Sequence, residues 1–313
     1  MKKISFVIPC YRSGATIGGV VDEIEGKLRE REDYTYEVIL VNDASPDDLQ
    51  GRLDALCKEK GNLVVIELAK NANRPGAVMA GLSEAQGDVA VVLDDDGQCP
   101  MPRLWDLLAP IESGEADVTM AKYPERKQSA FKDVATWVNR RMTEIALKKP
   151  RGLEFTNFMA MKRCVAEQIA QYENPYPYLT GLLLRTTRHF VNVPMEQRER
   201  QAGGTTFTFR KMLALWVNGL TAFSILPLRF ATWCGVLSAL AGFATGLWVV
   251  ARKLWCGDGI QAGYSSTVAL QLFIGGMILF CLGIIGEYVG RIYMCINKSP
   301  QYVIRSVKRS DGR

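Results

Sequence analysis

The chain has 313 residues, 48% of them hydrophobic and 23% charged, with a formal net charge of +5, a balance that suits one mid-sized globular domain joined to a greasier segment. Its eight cysteines stand singly, with no CxxC pair, and there is one histidine. That argues against a zinc site or a disulfide framework and fits reduced, cytosolic thiols.

The N-terminal stretch "MKKISFVIPCYRSG" carries an apolar run too short for a signal peptide, so the first domain is expected to stay where it is made. From there, β-rich runs alternate with amphipathic segments: "ISFVIPC" at 4–10, "YEVILVN" at 36–42, "LVVIELA" at 63–69, "DVAVVLD" at 88–94 and "DVTMAKY" at 117–123. Near-continuous apolar runs of this length read as parallel strands covered on both faces. The intervening helical segments, about 14–31, 46–60, 75–86 and 101–113, complete a repeated βαβ unit and predict a doubly wound α/β sheet. In such a sheet ligands bind outside the carboxyl ends of the strands. Three of those ends carry polar groups: Tyr11, Asn42 with Asp43, and Asp94 to Asp96. No GxGxxG follows the first strand and no P-loop lysine is present, which weighs against dinucleotide and ATPase chemistry. His189, before a further strand "FVNVP", reads as a surface or structural residue.

Past residue 205 the pattern changes. "FATWCGVLSALAGFATGLWVVA", 230–251, and "TVALQLFIGGMILFCLGIIG", 267–286, hold no ionisable side chain apart from cysteine thiols, and each is long enough to cross about 30 Å of hydrocarbon. Basic residues flank the pair outside, among them Arg210, Lys211, Arg305, Lys308 and Arg309, against Arg252 and Lys253 between the spans. By the positive-inside rule both termini are expected in the cytoplasm. Residues 206–229 read as an amphipathic juxtamembrane segment, with an ordinary core helix as the alternative, and 297–313 as a basic cytoplasmic tail. Gly275, Gly276, Gly283 and Gly286 in the second span permit close helix packing and a homo-oligomer.

The block "VVLDDDGQCP" puts three carboxylates at the end of a buried strand. Like charges this close need a counter-charge. A hard divalent cation, Mg2+ or Mn2+, supplies it with one or two protein carboxylates and fills its other positions with water and phosphate oxygens. Gln98 can add a neutral oxygen, and Lys122, Arg126, Lys132 and Arg200 lie downstream for a phosphate-rich ligand. A solvated acidic loop, or an acidic N-terminus for the helix at 101–113, is the plainer alternative.

Together, "FVIPCYRSG", "EVILVNDASPDD", "DDDGQ" and the terminal pair of apolar helices resemble glycosyltransferase family 2, and within it the polyisoprenyl-phosphate glycosyltransferases. The resemblance covers nearly the whole chain. It implies a Rossmann-like GT-A catalytic domain over 1–205, a juxtamembrane segment over 206–229, and a two-helix transmembrane region over 230–296. It assigns Pro9, Tyr11, Asp43, Asp94 and Asp95 to the nucleotide and Asp96 with Gln98 to the metal. Asp94, Asp96 and Arg200 become the catalytic set. The acceptor phosphate falls to Lys122, Lys132 and Thr136, where the family has arginines and a serine; lysine replaces the bidentate fork by a point charge. Thr206 stands at a family lysine position and Ser13 at a glutamate position.

The implied reaction is inverting transfer of a sugar from a nucleotide-sugar donor, preferably UDP-linked, to polyisoprenyl (undecaprenyl) phosphate on the cytoplasmic face of a bacterial inner membrane. The product would supply cell-envelope glycan or lipid A or O-antigen modification. A phosphate monoester with its second pKa near 6 is already mostly ionised, so no strong general base is needed. The expected partners are donor, lipid acceptor and membrane, with no nucleic acid. The alternatives are a membrane-anchored transferase with another acceptor and a non-catalytic scaffold that binds sugar nucleotides. A processive enzyme would carry a QxxRW-type element, which the sequence lacks.

Overall fold

The structure is a computed structural model that describes residues 1–124, 144, 149–198, 226–256 and 264–310. The chain divides into two compact units, Met1–Met212 with Lys298–Arg313, and Leu213–Asn297. In the first unit β1 (Lys2–Cys10), α1 (Ile17–Leu28), β2 (Tyr34–Asn42), α2 (Leu49–Glu59), β3 (Leu63–Leu68), α3 (Asn73–Glu84), β4 (Val89–Val92) and α4 (Leu104–Glu112) follow in the expected alternation. Then come β5 (Val118–Lys122), β6 (Met159–Lys162), α5 (Arg163–Ala170), α6 (Leu179–Thr186) and β7 (Phe190–Pro194). One eight-stranded sheet forms in the order β7-β5-β6-β4-β1-β2-β3-β8, where β8 is Ile304–Arg309.

The central strands β4, β1, β2 and β3 run parallel. Ile4, Phe6 and Ile8 of β1 join Val38, Leu40 and Val91 in one core with Ile17, Val21 and Ile24 of α1 and Leu104 and Leu107 of α4. The alternate residues Val7, Ile39 and Val41 are equally buried on the opposite face. There α3 packs so closely that a Cβ on Gly81 would stand 2.3 Å from Val7 Cγ1, so only glycine fits. Burial on both faces is why these strands read as continuous apolar runs. α3 starts at Asn73, two residues before the expected 75, because Pro75 falls in the first helical turn where its missing N–H is no loss.

β6 and β8 were not read from the sequence. β6 is four residues, "MAMK", and runs antiparallel to both β4 and β5, which puts its first residue at the active edge. Within the stretch read as a basic cytoplasmic tail, Ile304–Arg309 forms the strand β8. It pairs antiparallel with β3, with Val65 opposite Lys308 and Ile66 opposite Val307. Its basic residues, counted above as membrane-side charges, are in ion pairs: Arg305 with Glu67 at 2.7 Å, Arg309 with Glu84 at 2.7 Å, and Lys308 with Asp54. A charged strand is a natural closure for a sheet edge, and its lack of apolar alternation hid it.

The second unit holds α7 (Leu226–Cys256) and α8 (Tyr264–Ile296). Their apolar windows, Pro227–Trp248 and Phe273–Ile296, are long enough to cross a membrane. The second helix runs on past the expected end at 286, through Glu287 and Arg291, which pair one turn apart at 2.8 Å. Large apolar side chains such as Phe230, Trp233, Phe243, Phe273 and Leu279 are more than half exposed on the two helices. Helices with such surfaces need an apolar surrounding, and the protein is membrane-associated. The expected juxtamembrane segment lies outside the described residues up to 225.

Deleting residues 304–313 should strip the ladder from β3. At about 1 kcal/mol per ladder bond and roughly 2–4 °C per kcal/mol, the melting temperature of the detergent-solubilised protein should fall by about 10 °C. Lys308→Ala alone should shift it far less, which a thermal melt of both variants checks.

Candidate active site

The carboxyl ends of β1, β2 and β4 lie side by side, and the chain leaves each one carrying a polar group. β4 pairs with β1 only as far as Val7, and the Leu93 N–H still donates to Val7 O at 3.2 Å. Pro9 therefore sits in β1 beyond the last partner on that side, where a residue without an N–H is tolerated. Tyr11, about half exposed, donates its backbone N–H to Asp95 Oδ2 at 3.0 Å, and the Thr16 hydroxyl donates to the Asp95 carbonyl at 2.6 Å. Asp95 is thereby turned inward and tied to the first strand end. Burial pushes its carboxyl above the usual carboxylate range.

Asp43 follows β2, and its backbone N–H donates to Cys10 O at 3.0 Å. Its Oδ1 accepts the Ala72 N–H at 2.6 Å, at the start of α3, and the Asn71 amide donates to its carbonyl at 3.0 Å. Burial raises the Asp43 carboxyl to about 6 despite the backbone N–H groups of Ala72 and Asn73. A group poised there changes charge near neutral pH.

Asp94 is held on both oxygens. Arg74 Nε donates to Oδ1 at 2.7 Å and Asn157 Nδ2 to Oδ2 at 2.6 Å, while Arg74 Nη2 reaches Asn157 O at 3.4 Å. Asp96 Oδ1 accepts the Gln98 backbone N–H at 3.1 Å. That return is possible because Gly97 adopts φ 74°, a backbone conformation that strains any side chain. The segment after β7 crosses to the same place: Arg198 N–H donates to Gln98 O at 3.2 Å, and Gln197 Nε2 lies 3.5 Å from Gln98 Oε1. Lys122, at the end of β5, pairs with Glu154 at 3.4 Å. The expected residues Arg126, Lys132, Thr136, Arg200 and Thr206 lie outside the described residues.

The structure thus joins Tyr11 to Asp95, Asp43 to the start of α3, and Asp96 to Gln98. It adds two residues that sequence reasoning missed. Arg74 follows β3, and the same attention to polar strand ends would have found it in "KNANR". Asn157 precedes β6, and no periodicity signals a short antiparallel strand that starts at the active edge. His189 lies at the other end of β5, where its carbonyl accepts the Asp117 N–H at 2.9 Å. Two buried thiols border the acidic edge. Burial and then Asp95 raise Cys10 well above the ordinary thiol value, and burial and then Asp94 push Cys99 up to about 12. Both are protonated at neutral pH and make no nucleophile.

The described oxygens suit a divalent metal held jointly with a ligand. Among the described residues no group of three His, Cys, Asp or Glu side chains is arranged to hold an ion. Asp96 and Gln98 offer a carboxylate and an amide oxygen, the small donor set that Mg2+ or Mn2+ uses when diphosphate and water fill the rest.

A doubly wound sheet with its acidic cluster at the carboxyl edge beside the first two strand ends is the architecture of a GT-A glycosyltransferase. Residues 5–169 match the model for glycosyl transferase family 2, and residues 226–292 match the GtrB C-terminal hairpin. The chain belongs to glycosyltransferase family 2. It is similar to the prophage bactoprenol glucosyl transferase homolog of Escherichia coli, 29% identical over 98% of this chain and 100% of that one. It is also similar to the undecaprenyl-phosphate 4-deoxy-4-formamido-L-arabinose transferase of Proteus mirabilis, 28% identical over 98% and 94%. Among solved structures, mannosyl-3-phosphoglycerate synthase from Rubrobacter xylanophilus superposes with TM-score 0.52 at 18% identity, over 71% of this chain and 72% of that one. Glucosyl-3-phosphoglycerate synthase from Mycobacterium tuberculosis, crystallised with Mn2+, uridine diphosphate and phosphoglyceric acid, gives 0.50 at 18% identity, over 69% and 75%.

Iodoacetamide applied to the native protein near neutral pH should alkylate the exposed Cys164 and spare Cys10 and Cys99 until the protein is unfolded, as peptide mass spectrometry would read.

Proposed function

We propose that this protein transfers a sugar, with inversion, from a nucleotide-sugar donor to polyisoprenyl phosphate at the cytoplasmic face of a bacterial inner membrane. The observation that carries the proposal is the carboxylate edge Asp94–Asp96, built against Tyr11 and facing the Asp43 strand end, in a chain that continues into a membrane hairpin. The names of the relatives support an undecaprenyl (bactoprenol) phosphate acceptor. The M. tuberculosis synthase, bound to uridine diphosphate and Mn2+, makes a uridine donor and a divalent metal the natural first choices. Connectivity supports the topology. The chain leaves the catalytic unit before α7 and rejoins it as β8 after α8, so two crossings return it to its starting side.

In this reading Pro9, Tyr11 and Asp43 hold the nucleotide, and Asp94 and Asp95 shape the floor beneath it. Asp96 and Gln98 would hold Mg2+ or Mn2+, which when bound supplies Lewis-acid stabilisation of the leaving diphosphate. Arg200 adds positive charge for the same leaving group. Lys122, Lys132 and Thr136 orient the lipid phosphate. A phosphate oxygen attacks the anomeric carbon from the face opposite the diphosphate. The bond from that carbon to the diphosphate oxygen breaks, and the nucleoside diphosphate departs with the electron pair. The nucleophile is already ionised, so no side chain has to take its proton. Asn157, an amide beside Asp94, fits a site that needs no base there.

Purified protein incubated with Mn2+ or Mg2+, undecaprenyl phosphate and radiolabelled nucleotide sugars should move label into the organic phase. Chelator should abolish the transfer, and absence of label from every donor would refute it. Asp96→Asn should reduce turnover by about 100-fold or more with membrane insertion intact, and near-normal turnover would remove Asp96 from the metal. Nucleotide affinity should also follow the Asp43 carboxylate. Calorimetry should find it constant above neutral pH and weakening by up to about tenfold per pH unit below about 6, as the acid form accumulates. Asp43→Asn should flatten that profile.

A further inference from the structure

The acidic edge gathers Asp43, Asp94, Asp95 and Asp96; there Arg74 pairs with Asp94 at 2.7 Å, while Lys122 pairs with Glu154 at 3.4 Å. Arg74 therefore neutralises one member of the cluster, Asp94, directly. It occupies the second position of α3, whose start also supplies the backbone N–H for Asp43, so one helix end fixes both groups. Its guanidinium spends Nε and Nη2 on Asp94 and Asn157, two of its three nitrogens, and its side chain is 31% exposed. A diphosphate entering this edge meets a surplus of carboxylates, and the guanidinium fork is the group best shaped to receive it.

Building on the donor-site reading above, we propose that Arg74 is a further donor-binding residue that works by exchanging ion-pair partners. In the free protein it pairs with Asp94. When donor and metal arrive together, Arg74 passes to the diphosphate and Asp94 is freed toward the metal. Every charge keeps a partner throughout, so neither half of the exchange leaves a desolvated, unpaired ion, the most costly outcome in a partly buried site. Each half alone is penalised: metal alone must compete with Arg74 for Asp94, and diphosphate alone must compete with Asp94 for Arg74. Arg74 thus couples the two ligands and disfavours either one alone. Asn157 is the positioning residue of the pair. It holds Asp94 Oδ2 through its amide and Arg74 through its carbonyl, so both partners stay in register for the exchange.

Calorimetry on the full-length protein in detergent, with Mn2+ alone, UDP or GDP alone, and both together, tests the exchange without turnover. Arg74→Ala should bind Mn2+ alone roughly three- to tenfold more tightly and the nucleoside diphosphate alone roughly three- to tenfold more weakly. It should also reduce the factor by which metal tightens nucleotide. Asp94→Asn should give the mirror pattern, tighter nucleotide and weaker metal, and it keeps the test open if the arginine variant fails to fold. Arg74→Lys should fall between wild type and alanine. Parallel weakening of both ligands in Arg74→Ala, or no change in either, overturns the exchange and leaves Arg74 a structural ion pair or a bystander. If the folded wild type binds neither diphosphate, the donor-site reading itself is wrong and the exchange falls with it.

Discussion

The hydrogen bonding of β1 on both sides, to β2 and to β4, with apolar cover on both faces, is the constraint from which the active edge follows. A strand buried in this way admits a lateral polar side chain only with a partner, as the Ser5 hydroxyl of β1 donates to Glu37 of β2, because an unpartnered one would be desolvated at a cost. Polar groups left open for a ligand therefore enter where the pairing stops. β1 stops at Cys10, β2 at Asn42 and β4 at Val92, and the next residues are Tyr11, Asp43 and, one residue further on, Asp94. The tight packing of α3 through Gly81 then fixes where that helix begins and so delivers Ala72, Asn73 and Arg74 to the same edge.

Electrostatics at that edge is graded. Asp95 faces inward, and burial raises its carboxyl. Asp94 is bracketed by a guanidinium and an amide. Asp96 sits on a glycine turn that folds the backbone back to its own carboxylate. Three adjacent carboxylates thus have three different surroundings, which relieves a repulsion the sequence presents as uniform.

β8 gives the membrane hairpin a covalent return to the catalytic sheet. Its antiparallel ladder with β3 and its ion pairs to Glu67, Asp54 and Glu84 close the edge of the sheet nearest the end of the chain. The linker before it is laced to the same unit: the Ala69 N–H donates to Val303 O at 2.8 Å, and Tyr302 donates its hydroxyl to Ser83 at 3.2 Å. The chain that leaves the second unit thus re-enters the sheet of the first through β8.

The sequence by itself determined the βαβ alternation, the acidic strand end, and two helices too apolar for water. Each rests on local information, on the periodicity of burial or on a run of like residues, that survives without knowing the partner. The apolar continuity of "FVI" and "VILV" already states burial on both faces, and "DDD" already states a need for counter-charge. Only the tertiary structure decided that Arg74 and Asn157 answer Asp94, that Asp95 turns inward, and that the basic C-terminal stretch is a strand. Those contacts join residues 20, 63 and 84 positions apart, and β8 meets β3 across some 240 positions. Hydrogen bonds and ion pairs between such distant residues leave no periodic trace in the chain, because their geometry exists only once the hydrophobic layers have set the strand order.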